Sequence, residues 1–176
     1  MFIDINTLGS EGLAFDRSFH LRDLEGPSRE RLEDVTVRLC GSIVPAGAGA
    51  TLSARVDATV SLQCSRCLEL FDWTVRAPFD LEVRRSEADS TPAGDEEAAS
   101  ILVAPEGKIG LEELATEQLY LNLPLKPVCA PTCLGLCPSC GTNRNVATCS
   151  CQDDTVDPRL APLLQFRKKL DGSERS

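Results

Sequence analysis

The chain is poor in histidine, the commonest catalytic acid–base, and in the residues that build aromatic cores. Aromatic residues make up 5% of its 176 positions, with one Trp and one Tyr, and it has one His and one Met. The single histidine, His20, reads as lying in a strand and has no H-x-E or HExxH context, so the signatures of zinc deaminases and metalloproteases are missing. There is no GxGxxG turn between a strand and a helix, no GKS or GKT phosphate loop and no G-x-S-x-G elbow. Long apolar runs are also missing. Ile101–Ala104 and Leu119–Leu125 are the longest, the second broken by Asn122 and Pro124, whereas a spanning helix needs ~20 apolar residues. Met1–Gly9 holds Asp4 but no Lys or Arg, unlike a secretory signal. These absences predict a cytoplasmic protein with no membrane span, no small-molecule substrate and no enzymatic activity.

Cysteine is the exception to this scarcity. Nine are present, in a chain predicted to stay in a reducing compartment, where thiols serve as metal ligands more readily than as structural disulfides. Eight of them fall in two places. Cys64-Ser65-Arg66-Cys67 lies between two predicted strands, at the tip of a hairpin. The second group reads Cys129-x3-Cys133-x3-Cys137-x2-Cys140-x8-Cys149-x-Cys151. Eight thiolates make two tetrahedral sites of the structural zinc type, although all-thiolate sites suit iron as well. The favoured partition puts Cys137, Cys140, Cys149 and Cys151 together, because four ligands within a short stretch close with little loop entropy. Cys64, Cys67, Cys129 and Cys133 would then form the other site. The alternative joins the two C-x2-C turns to each other. Gly141, after Cys140, is free to take the positive φ that such a turn requires. A four-thiolate ion has no open position, so water activation is not expected. Cys40 is left over inside a strand. Val128–Gln152 has few large apolar residues and is expected to unfold without metal.

Strand and helix periods divide the chain into 1–125 and 126–176. Val35–Ile43, Leu52–Leu62 and Phe71–Val83 alternate with period two, as half-buried strands do. Joined by short connections, Pro45–Ala50 among them, they should form an antiparallel meander or partial barrel. Residues 86–100 are small and acidic and read as a mobile surface loop. Ile101–Val103 reads as a short strand. Leu111, Leu114, Ala115 and Leu119 mark one face of a central helix over 111–121. The second region holds the cysteine-rich module and then a C-terminal helix. Asp157 caps it, Pro158 opens it, Leu160, Leu163, Leu164 and Leu170 line it, and Gly172 follows. The expected class is α+β. Charge divides the chain in the same way. Residues 1–125 hold 11 Lys+Arg against 22 Asp+Glu, a net of −11; residues 126–176 hold 7 against 5, a net of +2, which together give the overall −9.

The segments Leu62-Gln-Cys-Ser-Arg-Cys-Leu-Glu, Leu121-Asn-Leu-Pro-Leu-Lys-Pro-Val-Cys, Gly135-Leu-Cys-Pro-Ser-Cys-Gly-Thr-Asn and Asp157-Pro-Arg-Leu-Ala resemble the YceD-like family, the large ribosomal RNA subunit accumulation proteins. The resemblance runs from about residue 10 to 170. It implies a non-catalytic role in accumulating 23S rRNA and assembling the large subunit, with large-subunit rRNA or a pre-ribosomal particle as partner. It also implies that Cys64 and Cys67 belong with Cys129 and Cys133, the later four cysteines being an added site. An rRNA role needs a contact surface. The candidates are Arg66, Lys126, Asn143, Arg144 and Asn145, with the run Arg167–Lys169, since such groups reach phosphates and base edges. Two other readings are an adaptor for a basic ribosomal protein without direct RNA contact, and a thiol redox or zinc-responsive regulator.

Overall fold

The computed structural model describes residues 1–27, 31–32, 34–85, 101–151 and Leu163. The predicted acidic loop and, apart from Leu163, the predicted C-terminal helix with Arg167–Lys169 lie outside the described residues. The framework is a five-stranded sheet in the order β2-β5-β6-β7-β8. Its strands are β2 (Leu13–Leu21), β5 (Val35–Ala46), β6 (Gly49–Gln63), β7 (Leu70–Arg84) and β8 (Ile101–Val103). Two small pairs accompany it. One joins β1 (Phe2–Asp4) to β9 (Lys108–Gly110), the other β3 (Leu24–Glu25) to β4 (Arg31–Leu32). Among the described residues α1 (Leu111–Leu121) is the one α-helix seen along its length, and Leu163, the one described residue of its segment, is also helical.

Alternation decides which face of the sheet is buried. Leu52, Ala54, Val56, Ala58, Val60 and Leu62 of β6 point inward, opposite Val37, Leu39 and Ile43 of β5. Each β5–β6 pair thus sets two apolar side chains side by side on the covered face. α1 lies over that face with Leu111, Leu114, Ala115 and Leu119 buried. Burying a Leu or Val side chain contributes about 1.5–3 kcal/mol, so this row of aliphatics holds sheet and helix together without aromatics in the deepest layer. The helix ends where Asn122 folds its amide back onto the Gln118 carbonyl at 2.8 Å.

The described strands form an open sheet, not a barrel: β2 and β8 stand at its two edges. The β5–β6 connection is also tighter than predicted. Pro45 and Ala46 pair with Ala50 and Gly49, so the turn is only Gly47 and Ala48, with Gly47 at φ 58°. The predicted antiparallel pairing holds for β5, β6 and β7, and β8 adds to the sheet parallel to β7. The arrangement that matters for the site is the long β6–β7 hairpin, which projects Cys64–Glu69 beyond the last paired residues, Gln63 and Leu70.

Candidate metal centres

The hairpin tip is a knuckle. The Leu68 N–H donates to the Cys64 carbonyl at 2.9 Å, and the Cys64 N–H donates to the Glu69 carbonyl at 2.9 Å. This turn points the Cys64 and Cys67 sulfurs the same way. The chain leaving α1 passes beneath it. Ser65 clamps that chain twice, its N–H and its hydroxyl each donating to the Pro127 carbonyl at 2.8 Å. Cys129 and Cys133 are thereby brought against the tip. The Sγ–Sγ distances are 3.9 Å for Cys64–Cys133 and 3.7 Å for Cys67–Cys129, and the four sulfurs lie within 4.8 Å of one another. Four thiolates at ~2.3 Å from a tetrahedral ion stand about 3.8 Å apart, so the spacing fits.

The second group of four, Cys137, Cys140, Cys149 and Cys151, is gathered with the same 4.8 Å limit. It repeats the knuckle. The Gly141 N–H donates to the Cys137 carbonyl at 2.9 Å, as the Leu68 N–H does to Cys64, and Gly141 and Leu68 take φ of 74° and 63°. The structure therefore draws the eight cysteines into the groups of the favoured partition, and the two C-x2-C turns are not joined to each other. The centres differ in exposure. Cys64, Cys67 and Cys133 of the first are buried, whereas in the second only Cys137 is.

Electrostatics shows why each group suits a cation. Burial raises the Cys64 thiol, but the N–H groups of Cys129, Cys67 and Arg66 aimed at its sulfur outweigh this and hold it at about 6. Burial and the neighbouring Cys133 and Cys64 sulfurs push Cys129 up to about 12. In the second group, the Thr142 hydroxyl and N–H lower Cys140 to about 6, while the bond to Cys140 and burial push Cys151 to about 12. Each cluster thus holds sulfurs prepared for charge beside sulfurs that keep their protons because a thiolate is next to them. Four thiolates coexist at this distance only around a positive ion. The donor set is soft and closed, which suits zinc or iron in a structural site.

A shell of polar groups links the centres. The Asn145 amide donates to the Cys133 sulfur at 3.4 Å and to the Asn143 side-chain oxygen at 2.8 Å, and its own oxygen accepts from the Leu134 N–H at 2.8 Å. Asn143 reaches Glu69 at 3.5 Å. The Arg66 guanidinium donates to the carbonyls of Cys133 at 3.0 Å and Pro131 at 3.4 Å. Arg144 donates its backbone N–H to the Gly135 carbonyl, and Lys126 is exposed just before the Pro127 clamp. Arg66, Asn143 and Asn145, read in the sequence as RNA contacts, thus also brace the knuckles. Ser65, Leu68 and Thr142 went unnoticed in the sequence. Only Leu68 had a signal there, its place opposite Gly141 when Cys64-x2-Cys67 is aligned with Cys137-x2-Cys140. The remaining cysteine, Cys40, is half-exposed in β5, with the Arg55 guanidinium 3.8 Å from its sulfur.

Among the described residues no helix is long and apolar enough to cross a membrane. Residues 52–167 match the sequence family described as large ribosomal RNA subunit accumulation protein YceD, a span that contains both cysteine groups. Uncharacterized proteins of Mycobacterium tuberculosis and Mycobacterium bovis are each 27% identical over 174 residues, covering 94% of this chain and 81% of theirs. A maize protein named large ribosomal RNA subunit accumulation protein YCED homolog 1, chloroplastic, is 26% identical over 138 residues, which span 64% of this chain and 47% of the maize protein. No solved structure gives a significant match.

Proposed function

The chain belongs to the YceD family, and from that premise we propose that it is a non-catalytic factor for accumulation and assembly of the large ribosomal subunit. The observation that carries this is the family match over residues 52–167, which includes all eight clustered cysteines. In this reading two structural ions, zinc or iron, are held by Cys64, Cys67, Cys129 and Cys133 and by Cys137, Cys140, Cys149 and Cys151. Bound metal supplies folding energy; it offers no open position for substrate. The chain's own groups do the rest. Ser65 and Arg66 lock the 127–133 segment to the hairpin, and Asn145 orients the Cys133 sulfur. The module then presents Lys126 and Arg144, with Arg66 on its flank, as a rigid basic surface toward RNA phosphates, Asn143 and Asn145 serving to hold that surface in place.

Lowering the protein in its cell and quantifying 23S against 16S rRNA tests the reading. The large-subunit species should fall, the wild-type chain should restore it, and Cys133→Ser should not. An unchanged ratio rules the role out. Direct contact is tested with a large-subunit rRNA fragment. Binding should weaken as salt rises and weaken further in Arg144→Glu. Loss of the role in cells without any RNA binding at low salt would leave an adaptor that works through a protein.

A further inference from the structure

Opposite in character to the cysteine module is the outer side of α1. The pairing of β1 with β9, closed by the Leu111 N–H donating to the Met1 carbonyl at 3.0 Å, lays Phe2 beside the start of the helix. A depression of about 550 Å³ lies between Phe2 and the helix and is walled by Glu112, Glu113 and Glu117. A second, of about 440 Å³, continues past the far side of Tyr120 to Glu25, Leu123 and Leu125. Tyr120 is the ridge between them. Its hydroxyl accepts from the Glu25 N–H at 3.1 Å, so the ridge is fixed and the groove is preformed. Large apolar side chains stand open along it, with Phe2 65% exposed, Tyr120 42% and Leu125 99%. Among the described residues no Lys or Arg lines either depression.

Glu112 and Glu113 sit in the first turn of α1 and complement its dipole. That account does not extend to Glu117, a turn further on, nor to Glu25, which comes from another element. Apolar surface of this kind, bordered by one sign of charge, marks an interaction face. Its complement is a segment with large apolar side chains flanked by lysines or arginines. RNA phosphates and anionic lipid would be repelled by the carboxylates. A second copy meeting this face about a twofold axis would set acid against acid.

We propose that the groove along Phe2, Tyr120 and Leu125 docks a cationic amphipathic segment of a partner protein. Apolar side chains fill the depressions on either side of Tyr120, and basic groups pair with Glu25, Glu113 and Glu117. This rests neither on the metal centres nor on the ribosomal reading.

The test uses the full chain in its metal-loaded form and a synthetic peptide that presents Leu and Phe between lysines. The control peptide carries glutamates in place of the lysines. Isothermal titration should detect binding of the lysine peptide at low salt, weakening about tenfold when salt is raised severalfold. Reversing charge with Glu113→Lys and Glu117→Lys together should weaken it about tenfold, and Phe2→Ser about fivefold. All three residues are exposed, and an unchanged circular dichroism spectrum confirms the fold. Glu117→Lys alone, outside the first turn, should give part of the loss. Amide shifts in a nuclear magnetic resonance titration should centre on residues 1–3, 110–120 and 123–125. Equal affinity in the reversed variant would place the peptide elsewhere on this acidic chain and overturn the proposal. So would no binding at low salt, equal binding of the glutamate peptide, or a sedimentation shift to a dimer that Phe2→Ser abolishes. A zero-length crosslink from Glu117 to Lys168 or Lys169 of the same chain would assign the groove to the protein's own end and also overturn it.

Discussion

The first cysteine centre and the second use the same knuckle and solve different problems. The first joins segments 62 to 69 residues apart, with three of its four sulfurs buried between hairpin and chain. The second closes within residues 137–151 and leaves three sulfurs partly or fully exposed. A distant closure restricts the unfolded chain more than a local one, and buried ligands leave uncompensated polar groups when the site fails. The first centre is therefore a tie between two parts of the fold, and the second is a fold in miniature. Identical ligand chemistry gives unequal structural consequences because of where the ligands sit.

The largest effect expected from this contrast is Cys64→Ser. It should remove one metal per chain and free the 127–133 segment from the hairpin, with a loss of more than about 3 kcal/mol, since structural sites of this kind contribute about 10–16 kcal/mol in small peptides. Thermal unfolding with metal analysis on the same sample checks this; a variant that keeps both ions or its stability breaks the contrast. Cys149→Ser comes next. It should also remove one ion, while the sheet unfolds within a few degrees of wild type, because residues 137–151 supply none of the five strands of the described sheet. Equal destabilisation by the two variants would show one cooperative module rather than two centres. Asn145→Ala should be intermediate in chemistry and small in stability. It withdraws a donor from the Cys133 sulfur, so affinity at the first centre should fall about 10-fold, read by competition with a chelator. The smallest effect is Leu68→Gly. A leucine at φ 63° is strained where Gly141 is not, and the substitution should be neutral or stabilise by up to about 1 kcal/mol in chemical denaturation, relief of strain offsetting the greater freedom of the unfolded chain.

Much of this was legible before any coordinates. Alternation in Leu52–Leu62 identified the buried face of β6 because one face of that strand meets the helix and the other meets water. The face of α1 was read correctly for the same reason: Leu111, Leu114, Ala115 and Leu119 fall under one stripe. Cysteine spacing gave the two groups of four, since loop closure favours the local set. What escaped lacked a period long enough to read. β1 and β9 are three residues each and exist through each other. β2 is legible only in part: His20 reads as lying in a strand, but Arg17 interrupts the apolar row of Leu13, Phe15, Phe19 and Leu21, so the strand's bounds do not show. The parallel pairing of β8 with β7 could not be read, since Ile101–Val103 is too short to carry a period. The Asn145–Cys133 bond could not be foreseen either, since asparagine beside basic residues reads as surface and its partner is fixed only when both knuckles have closed.

The span between the hairpin sulfurs and their partners also has a meaning in time. A nascent chain grows by about 5–20 residues each second, so Cys67 emerges roughly 3–12 s before the Cys129 that stands 62 positions later. Throughout that interval the strands can pair while the tip carries half a binding set, which holds an ion only in fast exchange. Cys137 to Cys151 emerge together and can be loaded at once. The first set is nonetheless complete at Cys133, before Cys149 and Cys151 have emerged, so an ion captured there can fasten hairpin to tail while the later cluster is still being made.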